Sequence, residues 1–381
     1  MLRILHVARN FGPATERRAD LMARAPGVFL ARLRPDGSGH DHREDELHGR
    51  SAQTADLVRI PVWNGPVDPH RMVYRSLTFA LPRLEPDVIF AEEEPDSLSA
   101  LQLVAARRLF APRARLVLQT WQNVDRRKRP PVLWVLKRTL GAADAIVAST
   151  GEAASLLRHL GYGGPTPVIL PAGFDPSLVV EAHCPTDRAV HEILFAGRLA
   201  PEKGVETLVD AVSTLDLPVR LTLAGDGPER GALERRVAER GLAGRTRFLG
   251  ALAPAAVARQ MAESDVLVLP SRTTPVWKEQ FGRVLAEAMA CGLPVVGSDS
   301  GAIPEVIDDA GLVFPEGDAA ALRERLRELL SSPDLARTLA ERGRSRAFRL
   351  YTPEVLAGQT LAFLRGFAPD APPGQPARAP S

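Results

Sequence analysis

The sequence predicts an α/β protein made of two doubly wound domains, and three observations carry that prediction. The chain has 381 residues, too many for one ordinary core and comfortable for two. Short continuous apolar runs recur, each followed by a stretch of helical spacing. That is the pattern of parallel strands covered on both faces. The runs fall into two series, parted by a segment near 172–190 that is rich in proline and glycine and poor in periodicity.

The first series comprises residues 4–7, 88–91, 115–118, 145–148 and 168–170. The opening residues are apolar over too short a stretch for a secretory signal and read as a first buried strand. Residues 30–56 are less regular and read as a variable loop region. Within them His40, His42 and His48 mix with carboxylates at no recognised metal-ligand spacing. The second series comprises 193–196, 220–224, 246–249, 266–269, 294–297 and 311–314. Helical spacing then covers 319–331 and 334–350, and resumes over 355–367 after Pro353. From Ala368 the composition is that of a disordered tail. The expected plan is a first domain over 1–173, a linker over 174–190 and a second domain over 191–350. A helix over 351–367 and the tail over 368–381 complete it.

Composition narrows the function. Lys and Arg number 48 and Asp and Glu 46, so the net charge is +2 and gives no argument for nucleic acid. Two cysteines, Cys184 and Cys291, exclude a disulfide framework and suit a reducing cytoplasm. No uncharged apolar run approaches the roughly 18 residues of a membrane span, which leaves peripheral contact with the inner membrane face open.

The segment from Trp277 to Gly292 carries the chemistry. A helix is expected to begin near Phe281-Gly282 and end at Gly292. A helix start beside the carboxyl ends of parallel strands is a phosphate site. Glu279 precedes the helix. Glu287 lies inside it among Val284, Leu285, Ala288 and Met289, where a partly buried carboxylate suits paired sugar hydroxyls. A surface helix with solvated glutamates is the plainer reading of such a pair. A second motif, Gly197-Arg198 followed by Lys203-Gly204, opens another helix and offers a planar fork and a point charge to a diphosphate.

Glu279 and Glu287 with seven residues between them, together with Gly197-Arg198…Lys203-Gly204, resemble the retaining glycosyltransferases of GT-B fold, family GT4 or glycosyltransferase group 1. The resemblance also takes in Gly225-Asp226-Gly227-Pro228, Phe248-Leu249-Gly250 and Ser300-Gly301…Pro304-Glu305. It implies two Rossmann-like domains facing a central cleft, and transfer of a sugar from a nucleotide-diphosphate sugar to an acceptor, usually a hydroxyl, with retained configuration. The acceptor would be a small molecule, a glycan or a lipid-linked species. No cofactor is implied beyond the donor substrate, and no metal, for the chain has no Asp-x-Asp pattern. By the same resemblance Arg198 and Lys203 hold the diphosphate, with Gly197 beside them, and Glu279 contacts the transferred sugar. The backbone at Phe281, Gly282, Arg283 and Val284 contacts sugar and phosphate. Glu287 binds the ribose, Gly250 and Leu252 lie along the base, and the last helix crosses back to the first domain. A nucleotide-sugar epimerase of the same architecture and a binding protein without turnover are the rival readings.

The first domain matches less closely. Where many members have a Gly-Gly loop, this chain has Asn10-Phe11-Gly12-Pro13, with Gly12 in that role. Where many have a His after a middle strand, it has Gln122 and Asn123, which offer neutral hydrogen bonds or a capped turn. Glu93, within Glu92-Glu93-Glu94-Pro95-Asp96, reads either as lining the acceptor cleft or as part of a solvated acidic loop. The run Arg126-Arg127-Lys128-Arg129 suits an anionic acceptor or lipid headgroups, or is simply solvated.

Overall fold

The computed structural model describes residues 1–9, 13–36, 57–64, 69–75, 77–182 and 189–368. They pack as two units. One takes in Met1–Ala172 and the chain from Pro353 onward, the other Gly173–Thr352. Cys184, Gly12, the histidine-rich stretch 40–48 and the tail beyond 368 lie outside the described residues.

Unit 1 runs β1 (Leu2–Ala8), α1 (Pro13–Ala23), β2 (Val28–Asp36), β3 (Leu57–Trp63), β4 (Val73–Tyr74), α2 (Leu77–Leu84), β5 (Val88–Glu92), α3 (Leu98–Phe110), β6 (Arg115–Thr120), α4 (Pro130–Leu140), β7 (Ala145–Ala148) and α5 (Gly151–His159). Its described strands form one sheet in the order β4-β3-β2-β1-β5-β6-β7, parallel except where β4 meets β3. Both faces are covered. Leu5, Val7, Ile89, Leu116 and Ile146 face one apolar cluster, and Ile4, Phe90, Val117 and Val147 the other.

Two expectations fail here. Residues 30–36, expected to begin an irregular loop over 30–56, belong to β2 (Val28–Asp36), paired with β1 from Leu2↔Val28 to Val7↔Leu33. Arg32 and Arg34 break the apolar run, yet Arg34 is 1% exposed and both guanidiniums bind Glu16 of α1. The expected strand at 168–170 is a single bridge between Val168 and Ala148. Pro165, Pro167 and Pro171 bring no backbone N–H to a ladder there.

Unit 2 runs β8 (His191–Ala196), α6 (Val205–Ser213), β9 (Val219–Ala224), α7 (Arg230–Glu239), β10 (Thr246–Gly250), α8 (Pro254–Glu263), β11 (Val266–Leu269), α9 (Arg283–Cys291), β12 (Val295–Ser298), α10 (Ile303–Ile307), β13 (Leu312–Phe314), α11 (Ala319–Leu330) and α12 (Pro333–Leu350). Among the described residues its sheet is wholly parallel, ordered β10-β9-β8-β11-β12-β13. The segment before β8 binds back onto this unit, through Phe174 N–H to the Tyr351 carbonyl and Ala182 N–H to the Cys291 carbonyl. After Pro353 the chain re-enters unit 1 as α13 (Pro353–Arg365), whose Ala357, Leu361 and Leu364 join the cluster that holds Met22 and Ala23 of α1. Among the described residues no helix is long and apolar enough to cross a membrane.

Candidate active site

In an open parallel sheet, ligands bind beyond the carboxyl ends of the strands where the strand order reverses. In unit 2 that point lies between β8 and β11. The loop after β8 carries Lys203 and the loop after β11 carries Glu279, and the structure brings them together. Lys203 Nζ donates to Glu279 Oε2 at 2.6 Å. The Ser271 hydroxyl donates to the same oxygen at 2.8 Å. The ammonium also lies 4.6 Å from the centre of the Trp277 ring. Glu279 is 7% exposed, so its charge is largely out of water and the Lys203 cation compensates it.

The loop that holds Glu279 is built by close backbone approach. The Glu279 carbonyl accepts from Ala302 N–H at 3.0 Å. Gly301, at φ +56°, sits so near that a Cβ there would stand 2.1 Å from this carbonyl oxygen. Phe281 is buried edge-on against Tyr351. Gly282, at φ +69°, turns the chain into α9 in a conformation that other residues rarely adopt. α9 therefore begins at Arg283, between the two glutamates, with its positive dipole end at the same loop cluster. Arg198 is not drawn into this cluster: its exposed guanidinium pairs with Glu202.

Glu287 lies one turn into α9, half-buried, 3.2 Å from Arg283 Nε. Burial raises its carboxyl above the usual range, against the pull of Arg283. With Arg283 and Leu252 it lines a pocket of about 190 Å³ whose floor is apolar, including Val257, Ala258 and Met261. Gly250 ends β10 at φ +70° just before this wall, and Gly197 follows β8. Val284 is half-buried on the first turn of α9.

Unit 1 reverses its strand order between β1 and β5, and there the acidic run is buried, not a solvated loop. Glu92, Glu93 and Glu94 are 8, 1 and 7% exposed. Glu92 Oε1 receives Arg18 Nη2 at 2.6 Å and lies 2.8 Å from His6 Nε2, while Arg34 Nη2 lies 3.2 Å from His6 Nδ1. A neutral imidazole with its proton on Nε2 satisfies both contacts. Burial, helped by Arg34, lowers the His6 pKa to about 4. Burial alone would raise the Glu92 carboxyl, but Arg18 and His6 hold it at about 2. Glu93, expected on the acceptor side, accepts instead from Tyr74 and Ser99. Burial raises its carboxyl against the opposing charge of Arg9. Glu94 binds the Thr120 hydroxyl and Trp121 N–H. Beyond β6, Gln122 reaches the Val124 carbonyl and Asn123 reaches Glu152 Oε2, each at a long 3.4 Å. Among the described residues no cluster of three His, Cys, Asp or Glu side chains is arranged to hold a metal.

Residues 187–346 match the family model for glycosyl transferases group 1. That match lies wholly within unit 2. N-acetyl-α-D-glucosaminyl L-malate synthase of Bacillus anthracis is 35% identical over 161 residues, 41% of this chain and 40% of that protein. The chain thus matches about two fifths of the length of the first curated relatives. A GDP-mannose-dependent α-(1-6)-phosphatidylinositol monomannoside mannosyltransferase of Mycobacterium tuberculosis is 27% identical over 324 residues, 78% of this chain and 84% of that protein. The crystal structure of Anabaena HepE in complex with UDP superposes with a TM-score of 0.73 at 20% identity, over 96% of this chain and 100% of that one. The fold is thereby GT-B. Within unit 2, sequence reasoning missed Ser271 and Trp277. The only signal for Ser271 was its place one residue past the Pro270 that ends β11, and Trp277 had none beyond lying beside Glu279.

Proposed function

We propose that the protein transfers a glycosyl group from a nucleoside-diphosphate sugar to an acceptor hydroxyl with retained anomeric configuration. The observation that carries this reading is the buried Glu279 carboxylate, held by Lys203 and Ser271 at the strand-order reversal of unit 2, with α9 starting four residues on. Unit 2 takes the donor. Lys203 and the start of α9 face the diphosphate, Arg198 joins them on release from Glu202, and together they stabilise the charge the diphosphate gains on leaving. Because cations and a helix end fill that role, the enzyme is proposed to work without a metal. Glu279 accepts from hydroxyls of the transferred sugar, and Glu287 accepts from the ribose above its apolar pocket. The Anabaena structure holds UDP, so UDP is the first nucleotide to try.

The bond between the anomeric carbon and the distal phosphate oxygen breaks, and its electron pair stays with the diphosphate. The acceptor oxygen attacks the same face of the sugar. Its proton passes to the departing phosphate oxygen. Unit 1 supplies the acceptor side, and the Mycobacterium relative, named for a phosphatidylinositol mannoside, makes a lipid-linked acceptor the first class to test. A reducing cytoplasm is the compartment proposed for it, since two cysteines supply no disulfide framework. The test is incubation with UDP-sugars and GDP-sugars, the product anomer read by NMR. A product of the donor's configuration, lost in Lys203→Ala and Glu279→Ala, is expected. An inverted product, or donor epimerised with no acceptor present, overturns the proposal.

A further inference from the structure

Helix α4 begins with five exposed residues: Pro130, Pro131, Val132, Leu133 and Trp134. The last three are 37, 39 and 53% exposed. The inward face of this helix is already supplied by Val135, Leu136, Thr139 and Leu140. Consecutive helical side chains point about 100° apart, so the exposed apolar triplet spreads over the outer face of the helix and leaves a third to a half of each side chain open to solvent.

Cations surround it. Arg126, Arg127 and Arg129 precede the helix and are exposed, and Lys137 and Arg138 follow one turn later. The Arg138 guanidinium lies 5.5 Å from the centre of the Trp134 ring. No Asp or Glu stands between Asp125 and Asp144. In a chain of net charge +2 this is a local concentration of positive charge, not a reflection of composition. Lys128 is not part of it, since its ammonium turns inward to Asp96 at 2.7 Å.

We infer that this face docks on an anionic lipid bilayer. Val132, Leu133 and Trp134 enter the interfacial layer, and Arg127, Arg129 and their neighbours meet the lipid phosphates. Three things favour lipid over a protein partner. The surface is a protruding helix start, not a groove for another chain. Its aromatic is Trp, whose ring suits the headgroup level. It pairs a small apolar wedge with a basic cluster, and stable peripheral attachment requires two such signals together. α4 follows the carboxyl end of β6, where Gln122 and Asn123 stand, so a docked bilayer lies beside that edge of unit 1.

The test is co-sedimentation of the full chain with vesicles of phosphatidylglycerol and phosphatidylcholine, against phosphatidylcholine alone. It needs neither donor nor turnover, so its failure leaves the proposed transfer untouched. Binding is expected only with phosphatidylglycerol present, and should be lost near 1 M salt, where the screening length falls to about 3 Å. Each basic residue near such a surface contributes roughly fivefold in partition, so Arg127→Glu with Arg129→Glu should lose at least about 25-fold. Acidic residues are favoured at a helix start, so this variant retains the fold. Leu133→Ser and Trp134→Ser should each weaken binding independently. The emission lost in Trp134→Phe should lie further to the blue when vesicles are present. Equal binding to neutral vesicles overturns the inference. So does partition unchanged in these variants, or retention on heparin with no vesicle binding, which assigns the patch to a soluble polyanion or acidic protein.

Discussion

Glu279→Gln should tighten the binding of a nucleoside diphosphate while abolishing sugar transfer. In the structure the Lys203 ammonium is engaged by Glu279 at 2.6 Å, with side chains 19 and 9% exposed. A diphosphate that takes Lys203 must first break this pair. At an effective permittivity of about 20, the Coulomb attraction across 2.6 Å is roughly 6 kcal/mol. Desolvation of both ions cancels most of it, leaving a net coupling of about 1–2 kcal/mol. Glutamine keeps an acceptor for Ser271 but releases the ammonium, so UDP should bind roughly five- to thirtyfold tighter. The whole nucleotide sugar gains less, because it brings hydroxyls that the carboxylate would have accepted. Lys203→Ala should move UDP binding the other way. Isothermal titration with UDP on the three proteins measures this, and thermal melting checks the fold. The reasoning is refuted if Glu279→Gln weakens UDP binding as much as Lys203→Ala does.

Glu287→Gln should raise the melting temperature slightly at pH 7.5 and still weaken UDP binding. The Glu287 carboxyl titrates above its unfolded value, so the folded state binds the proton more tightly and loses stability as pH rises past the unfolded pKa. Calorimetry with and without UDP separates the two effects. Arg18→Met should cost unit 1 about 3 kcal/mol or more, because it strands the buried Glu92 charge. Arg17→Met, in an exposed pair with Glu354, should cost under about 0.5 kcal/mol, and urea midpoints compare them. Unit 1 should lose stability as pH falls from about 6.5 through about 4, since the unfolded chain protonates His6 there and the folded one does not. A urea series should lose this slope in His6→Gln, and in Arg34→Met, which removes a charge that opposes protonation of His6, the loss should stop at higher pH; a slope unchanged in His6→Gln refutes His6 as its source. Gly301→Ala should disorder the Glu279 loop, costing about 1–3 kcal/mol and most of the transfer activity.

How much of this was legible in the sequence depended on where each charge finds its partner. β8, β11 and β12 were readable because Ile193–Ala196, Val266–Leu269 and Val295–Val296 are unbroken apolar runs, each ending at a loop whose chemistry is local. Lys203 and Glu279 lie 76 positions apart. Both were still found, because each follows closely on a strand's carboxyl end and the topology converges those ends without further instruction. β2 was missed for the opposite reason. Arg32 and Arg34 look solvated until α1 supplies Glu16 and Asp20 against them. The acidic run after β5 failed in the same way, since nothing near Glu92 in sequence announces Arg18, 74 positions away.

That network bears on acceptor recognition in the proposed enzyme. A carboxylate at a strand-order reversal is a natural receiver of hydroxyl groups, and unit 2 keeps one, Glu279, held there by Lys203 and Ser271. In unit 1 the equivalent opportunity is closed. Glu92 receives two donors in a buried cluster, and the oxygens of Glu93 and Glu94 are taken by Tyr74, Ser99, Thr120 and Trp121 N–H. To bind an acceptor hydroxyl, any of the three would have to give up a buried partner, at a cost near the full desolvation of that group. Among the described residues of unit 1, the loop after β6 is better placed: the Gln122 side chain reaches the Val124 carbonyl only at 3.4 Å, so exchanging that contact for an acceptor costs little. Substitutions there, unlike those at Glu93, should change acceptor preference while the fold and UDP binding stay as they are. Activity of Gln122→Ala and Asn123→Ala across a panel of acceptors measures it, and an unchanged preference in both refutes the placement.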